Sequence, residues 1–389
     1  MDRSPSYKQF APVMISFYIM GFVDLVGIAT GYVQQDFQLS DSMAQLLPSM
    51  VFVWFLLLSL PTGIFQDRNG KKITVVLSMM ITFLGMALPF IHYSYLTVVL
   101  GFCAIGIGNT VLQVSANPLL VDISNKKTQS ANLSFSQFIK ASAALLSPIY
   151  ISILVRVFGD WKLIFPIYAV LSLLVAVWLM SIDVEEKKTN KPPATLGSVI
   201  GLLKYPLVVV MVIGIFLIVG FDVGMNSNIA IFLNSRFELG LATAGFGISV
   251  YFAALMVGRF SGGILLRFFT ERTFFVISLA LTFLGLAGII FSQNLTVTWG
   301  MIFLAGLGFS NIFPLLFSVS INRMPDHRNE ISGLIILSVS GGAVIPPLMG
   351  VINQYFGSTA AMTVLMGCML VVSFACLYIE TRNIQTVES

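Results

Sequence analysis

Charge is what this 389-residue chain has little of: Asp, Glu, Lys and Arg make up 10% of it, against 57% apolar side chains and a mean hydropathy of +0.92. That is too little to cover a soluble globule of this length, so the composition excludes a soluble protein and places the chain in a bilayer. Histidine is almost missing: His92 and His327 fall near loops, and no intramembrane Ser/His pair or metal cluster is visible. Cys103, Cys368 and Cys376 lie in apolar segments without metal-ligand spacing and read as small packing residues. There is no phosphate-binding loop of the G-x-x-x-x-G-K-S/T kind, which argues against an ATP-driven pump. The ten-residue alternation of an outer-membrane barrel is absent as well. No soluble domain is left over, and no cofactor is expected.

What is present is a series of apolar stretches, each long enough to cross a hydrocarbon core of roughly 30 Å. The polar breaks predict twelve helices, at 10–34, 43–65, 73–92, 96–121, 131–155, 163–182, 205–234, 242–266, 273–293, 298–322, 331–353 and 359–380. The fold class is therefore an all-α integral membrane protein. If both termini are cytoplasmic, only Arg156, Lys162 and Arg236 among the 21 basic residues fall outside, with Lys140 and Arg259 within or beside the membrane. That bias predicts an even number of spans with both ends inside. The net charge of +4 follows from it and does not suggest nucleic acid. The first segment is too long for a cleavable signal peptide and carries Asp24, so it is expected to stay as a helix.

The one long polar connection, about 183–203, holds Glu185, Glu186, Lys187, Lys188, Lys191 and the Pro192-Pro193 pair. It divides the chain into 1–182, a linker at 183–204, and 205–389. A shift of 200 residues lays Phe37 on Phe237, Leu39 on Leu239, Gly63 on Gly263, Gly106 on Gly306 and Gly108 on Gly308. Parallel six-helix repeats of this kind resemble the major facilitator transporters, which bind their solute between two pseudo-symmetric six-helix bundles near the midplane. The run Gly63-Ile64-Phe65-Gln66-Asp67-Arg68-Asn69-Gly70-Lys71-Lys72 is similar to that superfamily's signature G-x-x-x-D-R-x-G-R/K-R/K. Gly63 is expected to permit close helix approach, Asp67 to pair with a basic group or cap a helix, and Lys71 and Lys72 to anchor the cytoplasmic face. Asp67 and Arg68 read as gating residues, with a degenerate copy at Gly263, Arg267, Glu271 and Arg272. Arg259 reads as another gating or helix-end charge.

Polar residues inside the apolar segments mark the candidate site. Asn109, Gln113 and Asn117 recur every four residues and share one helix face, where amides suit hydroxyl groups. Gln137 and Lys140 project together from the fifth helix, Asp222 and Asn226 stand one turn apart on the seventh, and the tenth contributes Asn311. Trp54 and Tyr251 are aromatic candidates for stacking on a sugar ring. Buried charge is costly, at least about 2.5–3.5 kcal/mol for each unpaired group. Three roles for Asp24 stay open: a structural pair with Lys140, a titrating proton carrier, or a ligand for a cation such as sodium. Asp222 is the second proton-coupling candidate.

Further segments resemble the fucose permease (fucose-galactose-glucose:proton symporter) family. They are Ala116-Asn117-Pro118, Asn132-Leu133 with Gln137, Phe313-Pro314-Leu315-Leu316-Phe317-Ser318, and Gly341-Gly342-Ala343-Val344-Ile345-Pro346 with Gly350. The resemblance implies uptake of a monosaccharide or related polyol with protons; alternating access, a bacterial inner membrane and a monomer are further expectations. Against the family pattern, Asp24 stands one turn early, Gln113 occupies a fourth-helix Glu position, Lys140 an Asn position, and Asp222 a seventh-helix acid position. An acidic sugar bound by Lys140 is therefore one variant. The expected partners are a sugar or sugar acid, a co-transported proton or sodium ion, and lipid. A proton-coupled exporter of amphiphilic compounds is the alternative, and a non-transporting sensor or scaffold is the alternative of another class.

Overall fold

A computed structural model of the chain describes residues 7–124, 129–184, 186, 196–265, 268–316 and 328–381. Much of the expected linker lies outside them, with Arg267, Phe317, Ser318 and His327, and so do the side chains of Asp67, Glu271 and Cys376. The described chain is nearly all helical, and twelve helices are long and apolar enough to cross a membrane. They are α1 (Gln9–Asp36), α2 (Asp41–Gln66), α3 (Lys71–Ile91), α4 (Tyr95–Ile123), α5 (Phe135–Phe158), α6 (Trp161–Ser181), α7 (Pro206–Phe237), α8 (Leu241–Gly262), α9 (Arg272–Phe291), α10 (Leu295–Leu316), α11 (Leu334–Phe356) and α12 (Ser358–Ala375).

In lipid there is little hydrophobic drive between helices, so close packing at small residues sets the crossings. The 200-residue period reappears there as repeated contacts. A Cβ on Gly106 of α4 would press on Val51 and Trp54 of α2, and one on Gly306 of α10 would press on Tyr251 and Ala254 of α8. Gly108 lies against Ser78 and Thr82 of α3, and Gly308 against Ser278 and Thr282 of α9. Thr82 and Thr282 donate to the carbonyls of Ser78 and Ser278, at 2.9 and 2.8 Å. Gln38 and Glu238 end the first helix of each repeat with positive φ, 49° and 55°. Gly308→Val would overpack the α9–α10 crossing, at about 1–3 kcal/mol. The expected result is a lower thermal midpoint in detergent than the native chain.

At the rim facing away from the linker, Asp36 accepts hydrogen bonds from Tyr93 Oη (2.6 Å) and Trp161 Nε1 (3.0 Å). Its counterpart 200 residues on, Arg236, donates to Thr359 Oγ1 (3.0 Å) and to the Ser292 carbonyl (3.2 Å). Each residue ties the end of the first helix of its repeat to the two neighbouring loops, with opposite charge. Between the repeats, α5 packs on α8, α2 on α11 and α1 on α7. Cross-repeat hydrogen bonds on this far side join Ser42 to Gln354 (2.6 Å) and Gln45 to Asn228 (3.3 Å). Nearer the middle, Ser49 donates to the Ala343 carbonyl (2.6 Å) and Ser249 to the Leu145 carbonyl (2.9 Å). On the linker side, by contrast, Gln137 is exposed and Asn117 and Lys140 are half-buried. Among the described residues, these hydrogen bonds between the repeats thus close the far side and the middle.

Spans α1, α10 and α11 are interrupted within their length. α1 carries a 3-10 turn at Gly21–Asp24, α10 a turn at Ser310 and Asn311, and α11 a 3-10 turn at Val339–Ala343. Such breaks leave backbone carbonyls without their regular helical partners, which is tolerable at membrane depth only where protein groups replace them.

Candidate functional site

The break in α1 is held from both repeats. Gly21 has no side chain, so the turn lies directly on the α5 backbone at Lys140 and on Ala143. Asn109 of α4, 3% exposed, donates through Nδ2 to the Met20 carbonyl at 2.6 Å. Asn226 of α7, 2% exposed, donates through Nδ2 to the Asp24 carbonyl at 2.9 Å. Each interhelical bond of this type contributes about 0.6–2 kcal/mol. Together they fix the turn that presents Asp24 near the membrane centre. Each of these two amides, both candidates for solute contact in the sequence, thus gives one side-chain donor to the backbone of α1.

From Asn109 a ladder of amides runs toward the linker side. Gln113 Nε2 donates to Asn109 Oδ1 (2.7 Å), Asn117 Nδ2 to the Gln113 carbonyl (3.3 Å), and Gln137 Nε2 of α5 to Asn117 Oδ1 (3.5 Å). Exposure increases along it: Asn109 is buried, Gln113 and Asn117 half-buried, Gln137 exposed. An amide NH2 has two hydrogens and its oxygen two lone pairs, so each rung has a donor or acceptor to offer a ligand beyond the ladder itself.

Four charges gather around this wall. Asp24 lies in the electrostatic field of Lys140, Asp222 and Arg259, and Lys140 in that of Asp24, Arg259 and Asp222. Lys140 is eleven residues into its helix, which starts at Gln129, or about 16 Å along the axis. Asp222 Oδ1 accepts from Tyr251 Oη at 2.8 Å, and Arg259 Nε donates to the Ser310 carbonyl at 3.4 Å. Tyr251 is fully buried. In this conformation its ring packs near Phe252 and Phe309 while its hydroxyl serves Asp222. Trp54 lies against Gly106 at the α2–α4 crossing. Asn311, 7% exposed, donates to the Gly258 carbonyl (2.7 Å) and pins the broken α10 to α8.

The signature loop between α2 and α3 forms a second polar centre. Gly70 (φ 95°) makes the turn, and a side chain there would meet the Glu186 carboxylate. Glu186 accepts from the backbone N–H groups of Lys71 (2.6 Å) and Lys72 (2.9 Å), placing an anion on the start of α3. Lys71 Nζ pairs with Asp122 at the end of α4, and Lys72 Nζ donates to the Ile182 carbonyl (2.6 Å). The two lysines therefore stitch helix ends together. Arg68 is exposed. The close approach expected at Gly63 is not found among the described residues: a Cβ there meets nothing within 4 Å. Glu186 and Asp122 were missed in sequence because their partners lie 115 and 51 residues away.

Comparison with known proteins agrees with this architecture. The chain is 25% identical over 383 residues to a glucose/galactose transporter of Brucella abortus, covering 92% of this chain and 90% of that protein. Among solved structures, the major facilitator transporter FucP in an outward conformation superposes with a TM-score of 0.70 at 19% identity, covering 98% of this chain and all of that one. The nucleoside transporter NupG superposes with a TM-score of 0.80 at 12% identity, covering 96% of this chain and all of that one. Residues 12–345 match the family described as Major Facilitator Superfamily. With that match over most of its length and twelve membrane-spanning helices, the chain belongs to the Major Facilitator Superfamily.

Proposed function

We propose that the chain is a secondary active importer of a monosaccharide or related hydroxylated solute, driven by a proton and working by alternating access. The observation that carries this reading is the ladder Asn109–Gln113–Asn117–Gln137, a polar wall graded from buried to exposed beside Asp24. A wall of amides offers hydroxyls both donors and acceptors, whereas an exporter of amphiphilic compounds would be served better by an apolar cavity. The names of the Brucella relative and of a fucose:proton symporter of the same fold, FucP of E. coli, support a sugar as solute.

In this reading two bundles, 1–182 and 205–389, rock about the site and are joined by the linker at 183–204. The linker side is cytoplasmic, by the distribution of basic residues, and the membrane is a bacterial inner membrane. The structure then corresponds to an inward-open state. Asp24 carries the proton, with Asp222 as a second titrating carboxylate held by Tyr251. The Asn226 bond to the Asp24 carbonyl crosses between the bundles, so opening the far side must break it. Asn226→Ala removes about 1 kcal/mol of closure, roughly a fivefold change in the conformational ratio. The expected readout is a larger fraction of long distances between spin labels at positions 42 and 354.

Uptake of a labelled sugar panel into proteoliposomes under imposed proton or sodium gradients tests the proposal. Concentrative uptake that follows the proton gradient is expected. Failure of every solute to accumulate under either gradient would overturn it.

A further inference from the structure

Of the four central charges, two are held by hydrogen bonds and two are not. Asp222 has Tyr251, and Arg259 has the Ser310 carbonyl. Asp24 and Lys140 stand in each other's field, yet among the described residues neither side chain forms an ion pair or a hydrogen bond. Both are half-buried, Asp24 on the fixed turn of α1 and Lys140 on α5 where that turn rests. An ammonium at this depth is costly without a counter-charge. While Asp24 is ionised, it supplies one across the gap. Once Asp24 takes up a proton, a single central carboxylate, Asp222, stands in the field of two cations, Arg259 and Lys140, and the cluster is short of one anion. A neutral solute does not restore the balance; a carboxylate does.

The register of α5 sets where that carboxylate would lie. Lys140 is three residues beyond Gln137 on the same side of the helix, about 4.5 Å along the axis, the scale of one sugar ring. A molecule whose hydroxyls engage Gln113, Asn117 and Gln137 would carry its next substituent to Lys140.

Building on the importer reading above, we propose that the solute is a hydroxylated monocarboxylate of hexose size, such as a uronate. Its carboxylate pairs with Lys140, its hydroxyls take the amide ladder, and it moves with one proton on Asp24. Solute and proton together carry no net charge, so transport is electroneutral.

The test is uptake of labelled glucuronate and galacturonate against glucose and galactose in proteoliposomes with an inward proton gradient, for the native chain, Lys140→Met and Lys140→Arg. In the native chain the uronates are expected to show an apparent KM about ten- to a hundredfold below their neutral parents. Uronate uptake should not change when a potassium diffusion potential is imposed. Lys140→Met should abolish the preference for the uronates, and Lys140→Arg should keep most of it. Native uptake of neutral sugars with KM equal to or below that of the uronates would overturn this proposal and leave the importer reading intact. Absence of accumulation for all four would overturn the importer reading itself.

Discussion

Asp24→Asn in proteoliposomes is expected to take up substrate only to equilibrium, with gradient-driven accumulation reduced by about tenfold or more. Asn keeps the size of the side chain but cannot gain or lose a proton, so any coupling that passes through this position stops. The turn that carries the residue should survive. Its anchors are the Met20 carbonyl, bonded by Asn109, and the Asp24 carbonyl, bonded by Asn226, and both acceptors are backbone atoms. Removal of the carboxylate does take away a counter-charge of Lys140, in whose field it stands. The variant should retain exchange of labelled for unlabelled substrate, because exchange needs no net proton movement. Loss of exchange together with a lowered thermal midpoint would assign Asp24 a structural task instead.

The second large effect separates two rungs of one ladder. Gln113→Leu removes a half-buried amide that has hydrogen-bonding capacity left for a ligand. One lost hydrogen bond to substrate, about 1–2 kcal/mol, raises KM roughly five- to thirtyfold, and stability falls as well, because buried Asn109 Oδ1 loses its donor. Asn109→Leu acts one turn away on the same face but on a different partner. It strands the Met20 carbonyl at the α1 break, where an unsatisfied buried acceptor costs about 1–3 kcal/mol, so thermal stability falls. Substrate titrations of uptake rate and thermal melts in detergent, on both variants, resolve the two cases. An unchanged KM in Gln113→Leu would mean that the ladder is a packing element and that substrate binds elsewhere.

These contrasts show which features were legible in the sequence. The twelve spans could be read because bilayer thickness imposes one length on every apolar run. The repeat could be read because a helix crossing needs small residues at fixed positions, and Gly106, Gly108, Gly306 and Gly308 meet equivalent neighbours 200 residues apart. Asp24 stood out because charge is rare at that depth. The 3-10 turn bearing it could not be read. No proline marks it, and the amides that hold it come from positions 89 and 202 residues away. For the same reason Asn109, Asn226 and Asn311 looked like free solute-binding groups, although each spends a donor on a helix carbonyl. Tyr251 looked like a stacking surface because its hydrogen bond to Asp222 depends on how α7 and α8 pack. Glu186 sits in a run of charges that resembles a solvated linker, and only the fold brings its carboxylate onto the start of α3.

The central claim is that solute and proton enter together through Asp24. It is tested most directly by adding substrate to lightly buffered proteoliposomes with no imposed gradient and recording external pH. The account predicts alkalinisation that begins with substrate entry, is abolished by a protonophore, and is absent in Asp24→Asn. Substrate entry without a pH change in the native chain, or an undiminished pH change in Asp24→Asn, would contradict it.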